Sequence, residues 1–301
     1  MELWIPITVG AAFFQNLRSA LQKYLKGQLS TGGATISRFL YAVPFAVAYA
    51  VWLATAGGYP VPEPSPRFWV FTVIGGTAQI LATALLVHLF SLRNFAVGTT
   101  YSKTEVVQTA LFGLLILGDP LRLGPAIGIL VSLAGVMAIS VARQNVSWRA
   151  LVLGWFQRPA LIGLASGAFF GLSAVSYRAA SLSLGGEGFL MQAAFTLAVV
   201  TVMQTLGMSA WLIAREPGEL GRVLRAWRVA GLVGLSGMLA SACWFTAMTI
   251  QNAAYVRALG QIELVFTFLA SALIFRERSN RFEITGIVLV IAGILALLLW
   301  R

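Results

Sequence analysis

Seven stretches of this 301-residue chain contain no Asp, Glu, Lys or Arg and are long enough to cross a bilayer: 39–62, 68–92, 123–142, 159–177, 188–214, 229–256 and 284–300. A spanning helix needs about 20 predominantly apolar residues. Barrel strands alternate polar and apolar side chains over about ten residues, and these runs do not. Three further apolar segments carry internal charge, 3–24, 94–117 and 252–275. The expected fold is therefore an all-α integral membrane protein of ten transmembrane helices. Composition points the same way, with 58% hydrophobic and only 10% charged residues. Soluble domains average about 25% charged residues, which argues against a soluble globular protein.

The net charge of +11 raises the question of a nucleic-acid partner, but no water-soluble basic face is available to bind one. Thirteen cations fall in the loops that follow odd-numbered helices, and three on the other side. The positive-inside rule then places the odd loops in the cytoplasm and both termini outside, in a multi-pass protein of the inner (plasma) membrane. The acidic Met1-Glu2 start differs from the basic n-region of a cleavable signal, so the first helix is expected to be retained. Residues 57–67 hold four prolines and form an extended loop. Residues 144–158 and 215–228 mix Trp and Arg with Leu and Val and read as short interfacial segments.

A shift of 158 positions aligns 81–139 with 239–297 without a gap, and 16 of 59 positions are identical. The informative pairs are Asn94/Asn252, Glu105/Glu263, Thr109/Thr267, Gly128/Gly286 and Gly135/Gly293. The expected organisation is a first five-helix repeat at 1–143, an interfacial linker at 144–158 and a second repeat at 159–301. Because five is odd, the second copy enters from the opposite side. Such inverted repeats surround a midplane substrate site in alternating-access transporters.

A helix ending in an acidic residue, a polar turn and a Gly-x6-Gly helix occurs twice. It reads Leu117-Gly118-Asp119-Pro120 with Gly128 and Gly135, then Phe275-Arg276-Glu277-Arg278 with Gly286 and Gly293. This pattern resembles the drug/metabolite transporter superfamily, in particular its EamA-like ten-helix members. General likeness extends to the YddG-type exporters of aromatic and other amino acids. The resemblance implies a central cavity lined by the first, third, fourth, sixth, eighth and ninth helices, and an export direction. Asp119 stands where that family commonly has Glu.

Ionisable residues inside spans are costly, about 2.5–3.5 kcal/mol at mid-depth on insertion scales, and mark candidate sites. Glu105 and Glu263 each fall twelfth in their segments and are equivalent in the repeat. They could carry a proton, anchor a substrate ammonium, or serve as structural carboxylates. On a continuous helix Lys103 lies about 200° from Glu105. Lys103 and Arg257 could hold a substrate carboxylate or act as counter-ions of the glutamates in the opposite repeat. Gln261 is the repeat counterpart of Lys103, and Tyr101 shares the Glu105 side. Gln15 and Asn16 with Arg18 form a polar patch late in the first helix; Ser176, Tyr177 and Arg178 do so in the sixth. Trp244 is the aromatic residue best placed to stack on a solute, Gln79 joins the candidate list, and His88 is either a pH switch or a headgroup-level residue. Gly163, Gly167 and Gly171 form a small-residue face suited to helix packing.

No nucleotide-binding glycine loop, metal-ligand cluster or Ser/His/Asp set is present in the sequence. One cysteine and one histidine leave no disulfide and little material for a metal site. The expectation is a non-enzymatic, cofactor-free, monomeric secondary transporter of small amphipathic metabolites such as amino acids, with proton coupling as an option. A carrier of another metabolite or drug, or a membrane-embedded enzyme or lipid-handling protein, are the alternatives.

Overall fold

A computed structural model describes residues 2–25, 27–89, 92, 95–144, 156–186, 188–273 and 280–300. All regular structure among them is helical, in fourteen α-helices and one π-helical turn. They are α1 (Trp4–Leu25), α2 (Thr31–Leu40), α3 (Val43–Thr55), α4 (Pro66–Leu89), α5 (Phe95–Ser102), α6 (Glu105–Phe112), α7 (Leu123–Gln144) and α8 (Arg158–Ser183). There follow α9 (Phe189–Arg215), α10 (Glu219–Arg225), α11 (Trp227–Ile250), α12 (Ala253–Gly260), α13 (Glu263–Leu273) and α14 (Arg281–Leu299). Seven helices among the described residues are long and apolar enough to cross a membrane, with α2 and α3 counted as one span, Thr31–Thr55. Large apolar side chains stand exposed along them, including Trp52, Leu130, Leu206 and Ile213, as expected where lipid is the solvent.

Several boundaries differ from the sequence expectation. The second span starts at Thr31, not residue 39, because Ser30 caps α2 by accepting from the Gly33 N–H at 2.9 Å. Glu219 accepts from the Ser30 N–H at 2.6 Å, and Glu216 accepts from its hydroxyl. Carboxylates at a helix N-terminus match its positive end. The sixth span runs on to Ser183, so Ser176, Tyr177 and Arg178 sit inside α8 and not at its end. Arg18 likewise lies within α1. The interfacial segment expected at 215–228 contains α10. The core of its counterpart at 144–158, together with Asn94 and the turn 274–279, lies outside the described residues.

The chain forms two compact units, 1–80 with 173–251 and 81–172 with 252–301. Each draws on both halves of the sequence. In unit 1, α1 packs along α11, and α9 packs on α2 and α3. Leu25, Ile36, Phe39, Leu212 and Val233 fill one core cluster, and Ala46, Tyr177, Leu197 and Phe245 belong to another.

In unit 2 the largest helix contact joins α7 to α14. A β-carbon on Gly128 would lie 2.7 Å from the Gly293 carbonyl oxygen, and one on Gly135 would lie 2.6 Å from that of Gly286. The reverse contacts are equally close, at 2.6 Å from Gly293 and 2.7 Å from Gly286. The twice-occurring Gly-x6-Gly motif is thus one antiparallel crossing in which the first glycine of each copy makes room for the backbone at the second glycine of the other.

Candidate functional site

The segment expected as one helix over 94–117 is interrupted. Between α5 and α6 the ladder tightens to i→i+3 bonds, Lys103 N–H to Thr100 at 3.2 Å and Thr104 N–H to Tyr101 at 3.1 Å. The hydroxyls of Ser102 and Thr104 donate back to the carbonyls of Thr99 and Tyr101, at 2.8 and 2.6 Å. Such back-bonding competes with the helix and bends it. The segment 252–275 breaks at the equivalent place: Gln261 N–H donates to Ala258 at 3.1 Å and Ile262 N–H to Leu259 at 3.0 Å. Glu105 and Glu263 are the first residues after the two breaks. Thr109 and Thr267 each donate to the carbonyl of the glutamate four residues earlier, at 2.6 and 2.9 Å.

Across these breaks the charges cross. Lys103 Nζ donates to Glu263 Oε1 at 2.9 Å, and Arg257 Nη1 lies 3.8 Å from Glu105 Oε1. All four side chains are largely withdrawn from the surface, Lys103 being the most exposed at 32%. Two cations and two carboxylates cancel, so the cluster carries no net charge while the pairs hold. Gln261 is buried at the second break. Tyr101, also buried, packs with Val141 and Ala160. Gly163, Gly167 and Gly171 of α8 face the backbone of Gly98, Ser102 and Thr109 in turn, so this glycine face packs along the interrupted helix.

Unit 1 holds a separate, narrow pocket of about 10 Å³, room for about one water molecule. Its polar lining is Arg38, Gln79, Thr201, Gln204 and Ser241. Phe39, Met238 and Phe245 are among the apolar residues. Gln204 Nε2 donates to Gln79 Oε1 at 2.9 Å, to Tyr177 Oη at 3.2 Å and to the Gly76 carbonyl at 3.1 Å. Tyr177 Oη also donates to Gln79 at 3.1 Å, and its ring stacks on Phe245 with centroids 4.5 Å apart. Of the helices that the family resemblance names as cavity-lining, α4 and α11, expected from the sequence as the third and eighth of ten, line this pocket. Residues from α2 and α9 complete it.

The remaining candidates have structural surroundings. Trp244 is buried and donates Nε1–H to Gln15 Oε1 at 3.0 Å; Asn16 is the next residue of α1. Arg178 donates to the carbonyls of Met248 and Gln251 at 2.6 and 2.7 Å, closing the C-terminal end of α11. Asn252 caps α12 by accepting from the Ala254 N–H at 2.8 Å. His88 is exposed in the last turn of α4. Among the described residues no group of three or more His, Cys, Asp or Glu could hold a metal ion.

The eleven sequence candidates thus separate. Glu105, Glu263, Lys103, Arg257, Gln261 and Tyr101 lie with His88 in unit 2, and Gln15, Asn16, Trp244 and Gln79 in unit 1. Arg38, Thr201 and Gln204 escaped the sequence reading. Arg38 directly precedes the charge-free run at 39–62, and that adjacency is the one trace of it in the sequence.

Residues 157–299 match the model of the EamA-like transporter family. An uncharacterized transporter in the cobO 3' region of Sinorhizobium sp. is 26% identical over 132 residues, 44% of this chain and 92% of that protein. A solved structure, described as the crystal structure of a protein, superposes with a TM-score of 0.71 at 17% identity. It covers 99% of this chain and 97% of that one. That likeness shows a fold in common with that structure over nearly the whole chain. The family match and the transporter relative support a transporter of the drug/metabolite type.

Proposed function

We propose that this protein is a secondary transporter that exports small amphipathic metabolites, amino acids including aromatic ones among them, by alternating access. In this reading the chain makes ten crossings as two inverted five-helix repeats, 1–143 and 159–301, joined by 144–158. The observation that carries it is the pair of helix interruptions at positions related by the 158-residue shift, with Lys103 and Gln261 at the breaks and Glu105 and Glu263 just beyond. Broken helices at corresponding places in two repeats are a recurring device of secondary transporters. The crossed pairs are groups that can exchange partners between two states.

Proton coupling is assigned to Glu105 or Glu263, the acidic members of the cluster. Flux of a solute panel into proteoliposomes, with and without a pH gradient, tests this. Wild-type flux is expected to rise with the gradient and to lose that response in Glu105→Gln or Glu263→Gln. Equal gradient responses in wild type and both variants would remove the coupling role.

A further inference from the structure

We propose that the α10 segment, from Arg215 at the end of α9 to Arg228 at the start of α11, is a docking surface for anionic phospholipid. This role is separate from transport and does not depend on it. Both flanking helices are long and apolar enough to cross a membrane, which sets the segment between them at a membrane surface. It carries four arginines and two glutamates, and the fold separates the two signs. Glu219 is buried and accepts from the Ser30 N–H, while Glu216 accepts from the Ser30 hydroxyl. Both acids thus turn inward onto the start of α2. Arg222 is held at the same place, donating to Glu219 at 2.8 Å and to the Gln28 carbonyl at 2.7 Å. Arg215, Arg225 and Arg228 stand exposed, and no ion pair ties them to an acid among the described residues.

The surface is built in advance. Val223 is fully buried in the core cluster that holds Leu25 and Leu29, and Tyr41 Oη donates to its carbonyl at 3.2 Å, so little ordering is left for a ligand to impose. Among the arginines stand two large apolar side chains, Leu224 at 53% exposed and Trp227 at 60%. The Arg228 guanidinium lies 5.7 Å from the centroid of the Trp227 ring. A guanidinium fork can donate two parallel hydrogen bonds to phosphate oxygens, and tryptophan favours the headgroup level of a bilayer. Free phosphate or a soluble polyanion would use the arginines and leave Leu224 and Trp227 in water. A zwitterionic lipid would cover those two but bring a cation of its own to the arginines. A phospholipid with a net negative headgroup answers both.

The test exposes purified protein in a neutral detergent to equimolar phosphatidylglycerol and phosphatidylcholine and counts bound lipid by native mass spectrometry. Phosphatidylglycerol is expected to be retained at least about fivefold over phosphatidylcholine, the factor that one cation contributes beside an anionic surface. Arg225→Gln combined with Arg228→Gln should bring the ratio close to one, and lysine at both positions should keep most of it. A charge-matched control, Arg67→Gln with Arg122→Gln, should keep the wild-type ratio. Equal retention of the two lipids by the wild type overturns the proposal. So does a double Arg225/Arg228 glutamine variant that keeps the preference, or a control that loses it as fully. Inorganic phosphate at the concentration of the lipid is expected to displace none of it; displacement would make this a free-anion site and overturn the lipid assignment. Should the double glutamine variant not fold, brominated lipids decide. Brominated phosphatidylglycerol is expected to quench tryptophan emission more than brominated phosphatidylcholine, and that excess to fall in Trp227→Phe. An unchanged excess overturns the proposal.

Discussion

Lys103 and Glu263 show how single residues in this protein are held. A charge inside a span needs a partner, and each member of this pair supplies the other's. Lys103→Gln is expected to leave Glu263 uncompensated and to lower stability by about 2 kcal/mol, discounted from the fully buried case because Lys103 is partly exposed. Adding Glu263→Gln should recover part of the loss. Thermal unfolding of the four proteins in detergent checks this, and strictly additive effects would contradict the pairing. A second residue-scale expectation concerns Gln204. Gln204→Leu strips partners from Gln79, Tyr177 and the Gly76 carbonyl together, at a cost of about 1–3 kcal/mol in the same assay. The four crossed charges are legible in the sequence because the repeat sets a glutamate in each half opposite a cation in the other. Arg38 is not, because the start of α2 is set by Ser30 and the carboxylates of Glu216 and Glu219 from far along the chain. An apolar-run count sees only the residues after it.

The same contrast holds for whole elements. Long apolar runs predict α4, α7, α9 and α14 to within a few residues. The interruptions at Lys103 and Gln261 carry no proline, so each segment reads as one continuous helix. Their signal is subtler: a run of hydroxyl and charged side chains from Thr99 to Thr104, and Gly260 at the end of α12. The glycine pairs of α7 and α14 are visible as a repeated motif, but only their packing explains them. Gly135→Ala should destabilise by about 1–3 kcal/mol, since the new methyl meets backbone atoms of Gly286 and Val290 and not a side chain that can turn away. Gly207→Ala in α9, where nothing lies within 4 Å of the added carbon, should be neutral or slightly stabilising. Melting temperatures of the two variants decide, and equal losses would contradict the close crossing.

For the whole molecule, the cations that raise the net charge to +11 bear on orientation. A cysteine placed at either end, in a Cys243→Ser background, is expected to react with an impermeant thiol reagent from outside intact cells. Labelling only after the cytoplasmic side is opened would reverse the proposed topology. Seven helices meet the length and apolarity of a span outright. The segments that do not are α1, with Arg18 inside it, and the two interrupted pairs α5–α6 and α12–α13. The segments that fall short of a simple membrane helix carry Arg18 and the four crossed charges, while Arg38 and Arg178 lie inside helices that meet both criteria. Counterflow tests the transporter assignment most directly. Purified protein is reconstituted into liposomes without nucleotide, preloaded or not with unlabelled L-phenylalanine, and uptake of the labelled amino acid is followed. Preloading is expected to accelerate a saturable uptake, as an alternating carrier requires. No saturable uptake, in either preloaded or empty vesicles, of L-phenylalanine or any member of a wider metabolite panel would contradict the assignment as a transporter.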